Sequence, residues 1–296
     1  MRDRPPLAVL ALAAALACAP HARAGERKHT PTPFYALCVG THDAKKRTPE
    51  QQAAMLKELG YHGMTHLWLK AVPERLKALD EAGLTLFGVY TPVSIDPKKR
   101  KYDPRLKQVI TLLKGRDTMI WLSIKGLRPS TPEGDPAAVA LLREIADMAQ
   151  PAGLRVAIYP HTGDWTERVE DAVRVVKKVD RKNVGVIFNL CHWLKVDGDE
   201  TRLEPLLEQA MPHLFAVTLN GADSGLGRRG GWARLIQPLD SGSFDVYGLL
   251  KMLRKLGYRG PIGLQCYGIR GDARDHLARS IAAWRTLSAR LAAEPK

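Results

Sequence analysis

Proton transfer near neutral pH needs side chains such as histidine, and this sequence places two of them just after apolar segments. His161 ends the segment 156–161, and His192 follows the segment 184–189 by three residues. Histidine has the ordinary pKa nearest to physiological pH, so either imidazole is a candidate general base. Lys125 follows another apolar segment and is a candidate for stabilising an enediolate oxyanion. The predicted catalytic residues are therefore His161, His192 and Lys125.

A second group of side chains, uncharged except for one arginine, also lies at or just beyond the ends of apolar segments. Amides and hydroxyls supply paired donors and acceptors for a polyhydroxylated ligand, and aromatic faces cover the apolar C–H surface of a sugar ring. Arg229 belongs to the glycine-rich segment 225–231, which either closes over substrate and grips a carboxylate or phosphate, or is a plain surface loop. The predicted substrate-binding residues are Tyr159, Asn189, Thr218, Asn220, Gln265, Trp68, Tyr267 and Arg229.

Such side chains need a scaffold that brings the ends of distant segments together. Apolar segments that turn polar only at their C-terminal ends indicate a parallel sheet with both faces buried. Eight of them alternate with eight helical patterns, which favours an α/β (β/α)8 TIM barrel in a single domain over an open doubly wound sheet. No dinucleotide-binding fingerprint follows the first strand. The predicted strands are residues 34–40, 63–69, 84–90, 118–124, 154–159, 184–189, 214–219 and 261–266.

The first 24 residues have the pattern of a secretory signal. A basic start precedes an apolar run from Leu7 to Ala19, too short to span a bilayer, and Ala22 and Ala24 fit a small-residue cleavage site. We expect residues 1–24 to be a signal peptide, residues 25–33 an N-terminal lead and residues 34–291 the barrel. No transmembrane segment is expected after cleavage, and the location is periplasmic or secreted. The segment 15–18 loosely resembles a lipoprotein box, which makes lipid anchoring the weaker alternative.

Composition is compatible with one exported domain. The chain has 296 residues, 45% of them hydrophobic, which suffices for a full core. Cleavage would remove three arginines and one aspartate, so the formal charge falls from +14 to +12. This charge could favour anionic surfaces or polysaccharide, although solvation of the outer helices explains it more simply. Cys38, Cys191 and Cys266 remain, and an odd number permits at most one internal disulfide, so buried free thiols are expected.

The strand ends resemble those of the xylose isomerase-like TIM-barrel superfamily, which contains sugar isomerases, epimerases and abasic-site endonucleases. The resemblance is strongest over residues 154–267 and includes the closing segments 232–245 and 256–262. It implies that His192 matches a histidine that contacts substrate. In that family strands five to eight end in Glu, Asp, His and Glu, which bind a divalent metal. The matching residues here are Tyr159, Asn189, Thr218 and Gln265.

These substitutions remove every carboxylate from the family's metal site. A hard divalent cation needs anionic oxygen to offset the cost of its dehydration, and neutral amides supply little of it. We therefore expect no metal and no cofactor here, with a Mn, Mg or Zn ion as the alternative. Another zinc site, built from His161, His192, Cys191 and Cys266, is disfavoured because their spacing matches no zinc motif.

Taken with the resemblance, these residues imply an exported carbohydrate-active enzyme of the isomerase, epimerase or lyase type that works without the usual ion. The alternative is a catalytically inactive barrel that binds sugar, since a degenerate site would also lose all four ligands. Nucleic-acid repair is disfavoured, because the strand ends lack its zinc ligands and export removes the chain from DNA. Glycoside hydrolysis is disfavoured because Asp43 and Asp164 are the only acidic residues near these ends. The expected partner is a small carbohydrate, and homo-oligomerisation is left open.

Overall fold

A computed structural model of the chain describes Met1 and residues 32–294. The rest of the predicted signal peptide and most of the lead lie outside these residues. Eight parallel strands follow one another around a closed barrel, so the predicted TIM barrel is confirmed. The strands are β1 (Phe34–Leu37), β2 (Gly63–Leu67), β3 (Thr85–Ser94), β4 (Met119–Lys125), β5 (Arg155–Ile158), β6 (Val184–Asn189), β7 (Leu214–Leu219) and β8 (Ile262–Gln265).

Ten α-helices connect or follow these strands within the described residues. Eight correspond to the predicted helical patterns, and the two additional ones are short segments after β6 and β7. The helices are α1 (Pro49–Leu59), α2 (Val72–Ala82), α3 (Arg105–Leu112), α4 (Asp135–Ala149), α5 (Val169–Val179), α6 (Leu190–Val196), α7 (Leu203–Ala210), α8 (Trp232–Leu235), α9 (Val246–Lys255) and α10 (Ala273–Ala293). None of them is long and apolar enough to cross a membrane.

Local sequence signals explain where the best-defined helix begins and ends. The Thr48 hydroxyl accepts a hydrogen bond from the amide of Gln51, whose side chain accepts one from the amide of Thr48. The helix α1 ends at Gly60, whose φ of 90° is unfavourable for residues with a Cβ. Such paired signals fix the length of each unit and thereby the places where the strands end.

The interior of the barrel is filled by a separate cluster of side chains, distinct from the core between the sheet and the helices. Alternation along the strands directs every second residue inward, as in the pair Ala157 and Tyr159. Large rings need glycine opposite them: a Cβ on Gly263 would lie 2.4 Å from the ring of Tyr35. The cluster comprises Tyr35, Leu37, Cys38, Phe87, Met119, Trp121, Ala157, Tyr159, Ile187 and Ala216. Because the interior is packed, a ligand has access only at the end of the barrel.

The three cysteines that the structure describes are free thiols. Cys38, Cys191 and Cys266 are all buried and none forms a disulfide, in agreement with the expectation from their odd number. Burial raises the pKa of each thiol, so none of them is poised to act as a nucleophile.

Candidate active site

Two histidines face each other at the C-terminal end of the barrel. His161 follows β5, and His192 is the third residue of α6, directly after β6. The two strands are neighbours and run parallel, so their ends are adjacent. The ring centroids lie 4.2 Å apart, with the planes tilted by 45°. The His192 ring is buried, whereas the His161 side chain is about one third exposed.

Thr162 fixes which nitrogen of each ring carries the proton. Its backbone N–H lies 3.2 Å and its hydroxyl 3.0 Å from Nδ1 of His192. A backbone N–H can only donate, so this Nδ1 accepts and the neutral His192 ring carries its proton on Nε2. The carbonyl oxygen of Thr162 lies 3.1 Å from Nδ1 of His161 and can only accept, so that Nδ1 carries the proton. His161 therefore has a free lone pair on Nε2, and His192 has an N–H there.

Both imidazoles are neutral at physiological pH. Burial lowers the pKa of His192 well below its usual value, and the neighbouring His161 lowers it further. Burial also lowers the pKa of His161, against the opposing effect of Asp164, while the charge of Lys125 adds to the lowering. A neutral pair with opposite tautomers can offer one base and one hydrogen-bond donor at the same time.

Lys125, the third predicted catalytic residue, is connected to His161 through the carboxylate of Asp164. Nζ of Lys125 lies 3.5 Å from Oδ1 of Asp164, and Oδ2 of Asp164 lies 3.8 Å from Nδ1 of His161. The Asp164 side chain is nearly buried, whereas that of Lys125 is about half exposed. The structure thus brings His161, His192 and Lys125 into one cluster, with the ammonium group on its solvent side.

Tyr159 and two amides form a closed layer next to the histidines. The Tyr159 ring stacks on Trp121 with a centroid distance of 5.7 Å. Nδ2 of Asn189 donates to the Tyr159 hydroxyl, and Nε2 of Gln265 donates to it over 3.1 Å. We expected these side chains to line an open rim, but Tyr159, Asn189 and Gln265 are only 4%, 1% and 3% exposed. The difference arises because the two amides donate to the Tyr159 hydroxyl within the layer.

The two predicted binding residues of β7 and its loop are also buried, and they differ from each other. Thr218 is fully buried, and its hydroxyl has no partner in the part of the chain that the structure describes. Nδ2 of Asn220 donates to the carbonyl oxygens of Gly221 and Leu235, at 2.7 and 2.8 Å. The Asn220 amide nitrogen therefore holds the β7–α8 loop.

Three exposed aromatic side chains follow strand ends of the barrel. Trp68 is 55%, Tyr267 50% and Trp232 41% exposed. Tyr267 lies edge-on to His42, and Trp232 lies edge-on to His192 with a centroid distance of 5.4 Å. Trp232 was not among the predicted binding residues, because its position depends on α8, which is too short to show a helical period. Its exposed ring beside His192 makes it a further candidate for contact with a sugar.

The glycine-rich segment 225–231 is held in place by two side chains from elsewhere in the chain. Arg228 forms an ion pair with Glu167, a buried carboxylate in the loop after β5. Nζ of Lys195 donates to the carbonyl oxygens of Arg228 and Gly230, at 2.6 Å each. Arg229 is exposed. Helix α5 begins only at Val169, so Glu167 lies in the loop that precedes it.

The residues at the strand ends do not fit a hard divalent cation. Oε1 of Gln265 accepts the backbone N–H of Tyr267 at 2.9 Å, and Oδ1 of Asn189 accepts the thiol of Cys191 at 3.1 Å. The amide N–H groups consequently point toward the centre, where positive hydrogens would repel a cation. Among residues 32–294 no three His, Cys, Asp or Glu side chains come together to hold a metal.

Asp43, an acidic residue near the strand ends, also has partners within the protein. Asp43 binds Arg47 over 2.8 Å and accepts the amide of Ala273 at the start of α10. It therefore anchors the terminal helix. This leaves Asp164 as the carboxylate beside the histidines.

Comparison with known proteins identifies the fold family. Residues 53–287 match the family model of the xylose isomerase-like TIM barrel. A stretch of 139 residues is 30% identical to 3-dehydroshikimate dehydratase of Pseudomonas aeruginosa; it covers 45% of this chain and 21% of that protein, so the chain spans about a fifth of this relative.

Solved structures resemble the whole barrel. The IOLI protein with a bound zinc atom superposes with a TM-score of 0.70 at 15% identity, over 88% of this chain and 100% of that one. The 3-keto-D-glucoside 4-epimerase of E. coli superposes with a TM-score of 0.66 at 18% identity, over 86% and 99%. At such identities the likeness shows the fold alone. Because the family model covers most of its length, the chain belongs to the xylose isomerase-like TIM-barrel family.

Proposed function

We propose that this protein is a carbohydrate-active enzyme of the isomerase, epimerase or lyase type that removes a proton from a carbon next to a carbonyl group. Two of the three proteins named in the comparison are an epimerase and a dehydratase, and both reaction types can begin with this step. The observation that carries the proposal is the neutral His161–His192 pair with opposite tautomers, 4.2 Å apart.

The tautomers assign different roles to the two rings. Nε2 of His161 takes the proton from carbon. The electron pair of the broken C–H bond forms a C=C bond, and the π pair of the carbonyl group moves onto its oxygen to give an enediolate. The N–H of His192 donates a hydrogen bond to that oxygen, because a neutral imidazole with a lowered pKa polarises a carbonyl without losing its proton. In isomerisation or elimination, His161 then returns its proton to a neighbouring carbon or to a departing hydroxyl. In epimerisation, a proton from solvent reaches the opposite face of the same carbon, and His161 releases its proton to solvent.

No divalent ion takes part in this proposal. Lys125, beside Asp164, supplies the positive charge that offsets the enediolate. The donor set at the strand ends supports this assignment, since Asn189 and Gln265 turn their N–H groups toward the centre.

The aromatic rim favours a polyhydroxylated substrate. Trp68, Tyr267 and Trp232 offer exposed ring faces for the C–H surface of a sugar or a hydroxylated carbocycle. Arg229 and Lys125 are exposed cations that suit a substrate bearing a carboxylate as well. We further propose export to the periplasm or outside the cell, on the basis of the residue pattern over positions 1–24.

A second candidate function is sugar binding without catalysis. The observation that favours it is the closed Tyr159–Asn189–Gln265 layer, in which the polar groups bond to one another and are barely exposed. In that case the exposed aromatic side chains would bind a sugar next to this layer, which would take no part in catalysis. The two candidates differ in whether a carbon-bound proton exchanges with solvent.

The test is deuterium incorporation from heavy water into a panel of ketoses, 3-keto sugars and hydroxylated cyclic ketones, followed by NMR. We expect exchange with wild-type protein and none with His161→Ala or His192→Ala, each of which should still unfold cooperatively. His213→Ala is the matched control, because His213 lies just before β7 at the opposite end of the barrel. Full exchange in His192→Ala would remove that residue from the mechanism, and binding without exchange in wild type would favour the inactive barrel.

A further inference from the structure

The Tyr159 hydroxyl has an unusual set of partners. Its oxygen receives two N–H groups, one from Asn189 and one from Gln265. The orientation of Gln265 is unambiguous, because its Oε1 accepts the backbone N–H of Tyr267. With both amides acting as donors, the hydroxyl proton needs an acceptor elsewhere, and no atom of residues 32–294 accepts it.

We propose that the Tyr159 hydroxyl donates its proton in a hydrogen bond to the oxyanion of the substrate, as a second donor beside His192. This inference rests on the proposed function, because it needs the enediolate that His161 would create. The Tyr159 ring lies edge-on to His192 with centroids 5.7 Å apart and is 6.3 Å from His161. The three rings therefore form one cluster at the end of the barrel.

The surroundings suit a donor that keeps its proton. Burial raises the pKa of Tyr159 well above its usual value, with Gln265 acting in the opposite direction, so the group stays a hydroxyl. As charge builds on the substrate oxygen, the hydrogen bond shortens and electron density shifts onto the phenolic oxygen. Two N–H groups already point at that oxygen and stabilise the added charge. No O–H bond breaks in this step.

Asn189 and Gln265 are positioning residues in this arrangement. They hold the phenolic oxygen from β6 and β8, while stacking on Trp121 fixes the plane of the ring. Their removal should act on catalysis through Tyr159 and not through substrate binding. The predicted signature is a loss in kcat with little change in KM.

The primary test compares two variants that each lose one phenolic hydroxyl. Tyr159→Phe should lower kcat for proton exchange about 10²- to 10³-fold, the usual effect of losing one oxyanion donor, and leave KM within about threefold. Tyr35→Phe is the matched control, because Tyr35 belongs to the same interior cluster and its hydroxyl has no partner within residues 32–294. It should keep wild-type kcat. Retention of kcat within about threefold in Tyr159→Phe would overturn the proposed role.

A third variant tests the direction of the hydrogen bonds. Asn189→Asp places a carboxylate against the phenolic oxygen, where it accepts the hydroxyl proton and withdraws it from the substrate. Its kcat should fall as far as in Tyr159→Phe, and the double variant should lose no more than either single one. Wild-type kcat in Asn189→Asp would show that residue 189 already accepts this proton, which overturns the inference.

If Tyr159→Phe fails to fold, a substitution that keeps the hydroxyl still tests the role of Tyr159. 3,5-Difluorotyrosine at position 159 keeps the ring and the hydroxyl but lowers the phenol pKa, which makes the hydroxyl a stronger hydrogen-bond donor to the oxyanion, so kcat at pH 7 should rise. An unchanged or lower kcat overturns the inference. Absence of exchange in wild type refutes the proposed function and the role of Tyr159 together, whereas exchange that survives Tyr159→Phe refutes only the role of Tyr159.

Discussion

The unpartnered hydroxyl of Thr218 leads to an unusual prediction, namely that removing a polar group from the site stabilises the protein. Thr218 lies in β7, is fully buried, and has no hydrogen-bond partner for its hydroxyl within residues 32–294. Burying a hydroxyl without a partner costs about 1–3 kcal/mol. Valine has nearly the same shape, so Thr218→Val should raise the free energy of unfolding by about this amount.

Thr118 is the matched control for this change. It lies just before β4, is also buried, and its hydroxyl donates to the carbonyl oxygen of Leu86 over 2.7 Å. Thr118→Val deletes that bond and should lower the free energy of unfolding by about 1–2 kcal/mol. The two variants share one chemical change and should differ in sign.

Urea unfolding followed by circular dichroism at pH 7 measures both values on the same protein preparation. The slope of the transition should be unchanged, so the midpoints alone report the difference. If both variants lost stability equally, the Thr218 hydroxyl would have a partner in solution, and its assignment as an unsatisfied group would be wrong. Proton exchange measured on Thr218→Val then shows whether the stabilised site has lost activity.

Two further predictions concern pH. Since burial lowers the pKa of His161, the acidic limb of kcat/KM should lie below pH 6.5, and a limb at or above that value would exclude His161 as the base. Burial lowers the pKa of His276 in α10 to about 4. As the pH falls below 6.5, the unfolded chain takes up a proton at this histidine before the folded chain does. Stability that is present above pH 6.5 is therefore lost as the pH falls toward 4. Between pH 7 and 4.5 this loss amounts to about 2.5 kcal/mol. His276→Gln should unfold with a correspondingly weaker pH dependence in urea titrations, and an unchanged dependence would contradict the assignment.

The sequence predicted the barrel because each unit carries its own signals. Apolar segments with polar ends marked all eight strands, and the helical patterns between them marked eight of the helices. The helices α6 and α8 were not predicted, because seven and four residues are too few to show a helical period. Strand β3 extends to Ser94, beyond the predicted end at residue 90, because β4 continues to pair with it.

The candidate site was predictable only in part. The position of His161 and His192 after two apolar segments placed both at the same end of the barrel, where the structure brings them together. Pairing between side chains remote in sequence left no local signal, as with Glu167 and Arg228, which lie 61 residues apart. The contact of Gln265 with Tyr159 spans 106 residues and likewise could not be inferred.

Proton exchange by metal-stripped protein tests most directly whether the His161–His192 pair acts without a divalent ion. The protein is dialysed against chelator, its metal content is measured by mass spectrometry, and deuterium incorporation is followed with a substrate that wild-type protein turns over. We predict the same rate before and after stripping, with no gain on adding Mn²⁺, Mg²⁺ or Zn²⁺. Loss of exchange on stripping, with recovery upon addition of one of these ions, would contradict the proposed mechanism.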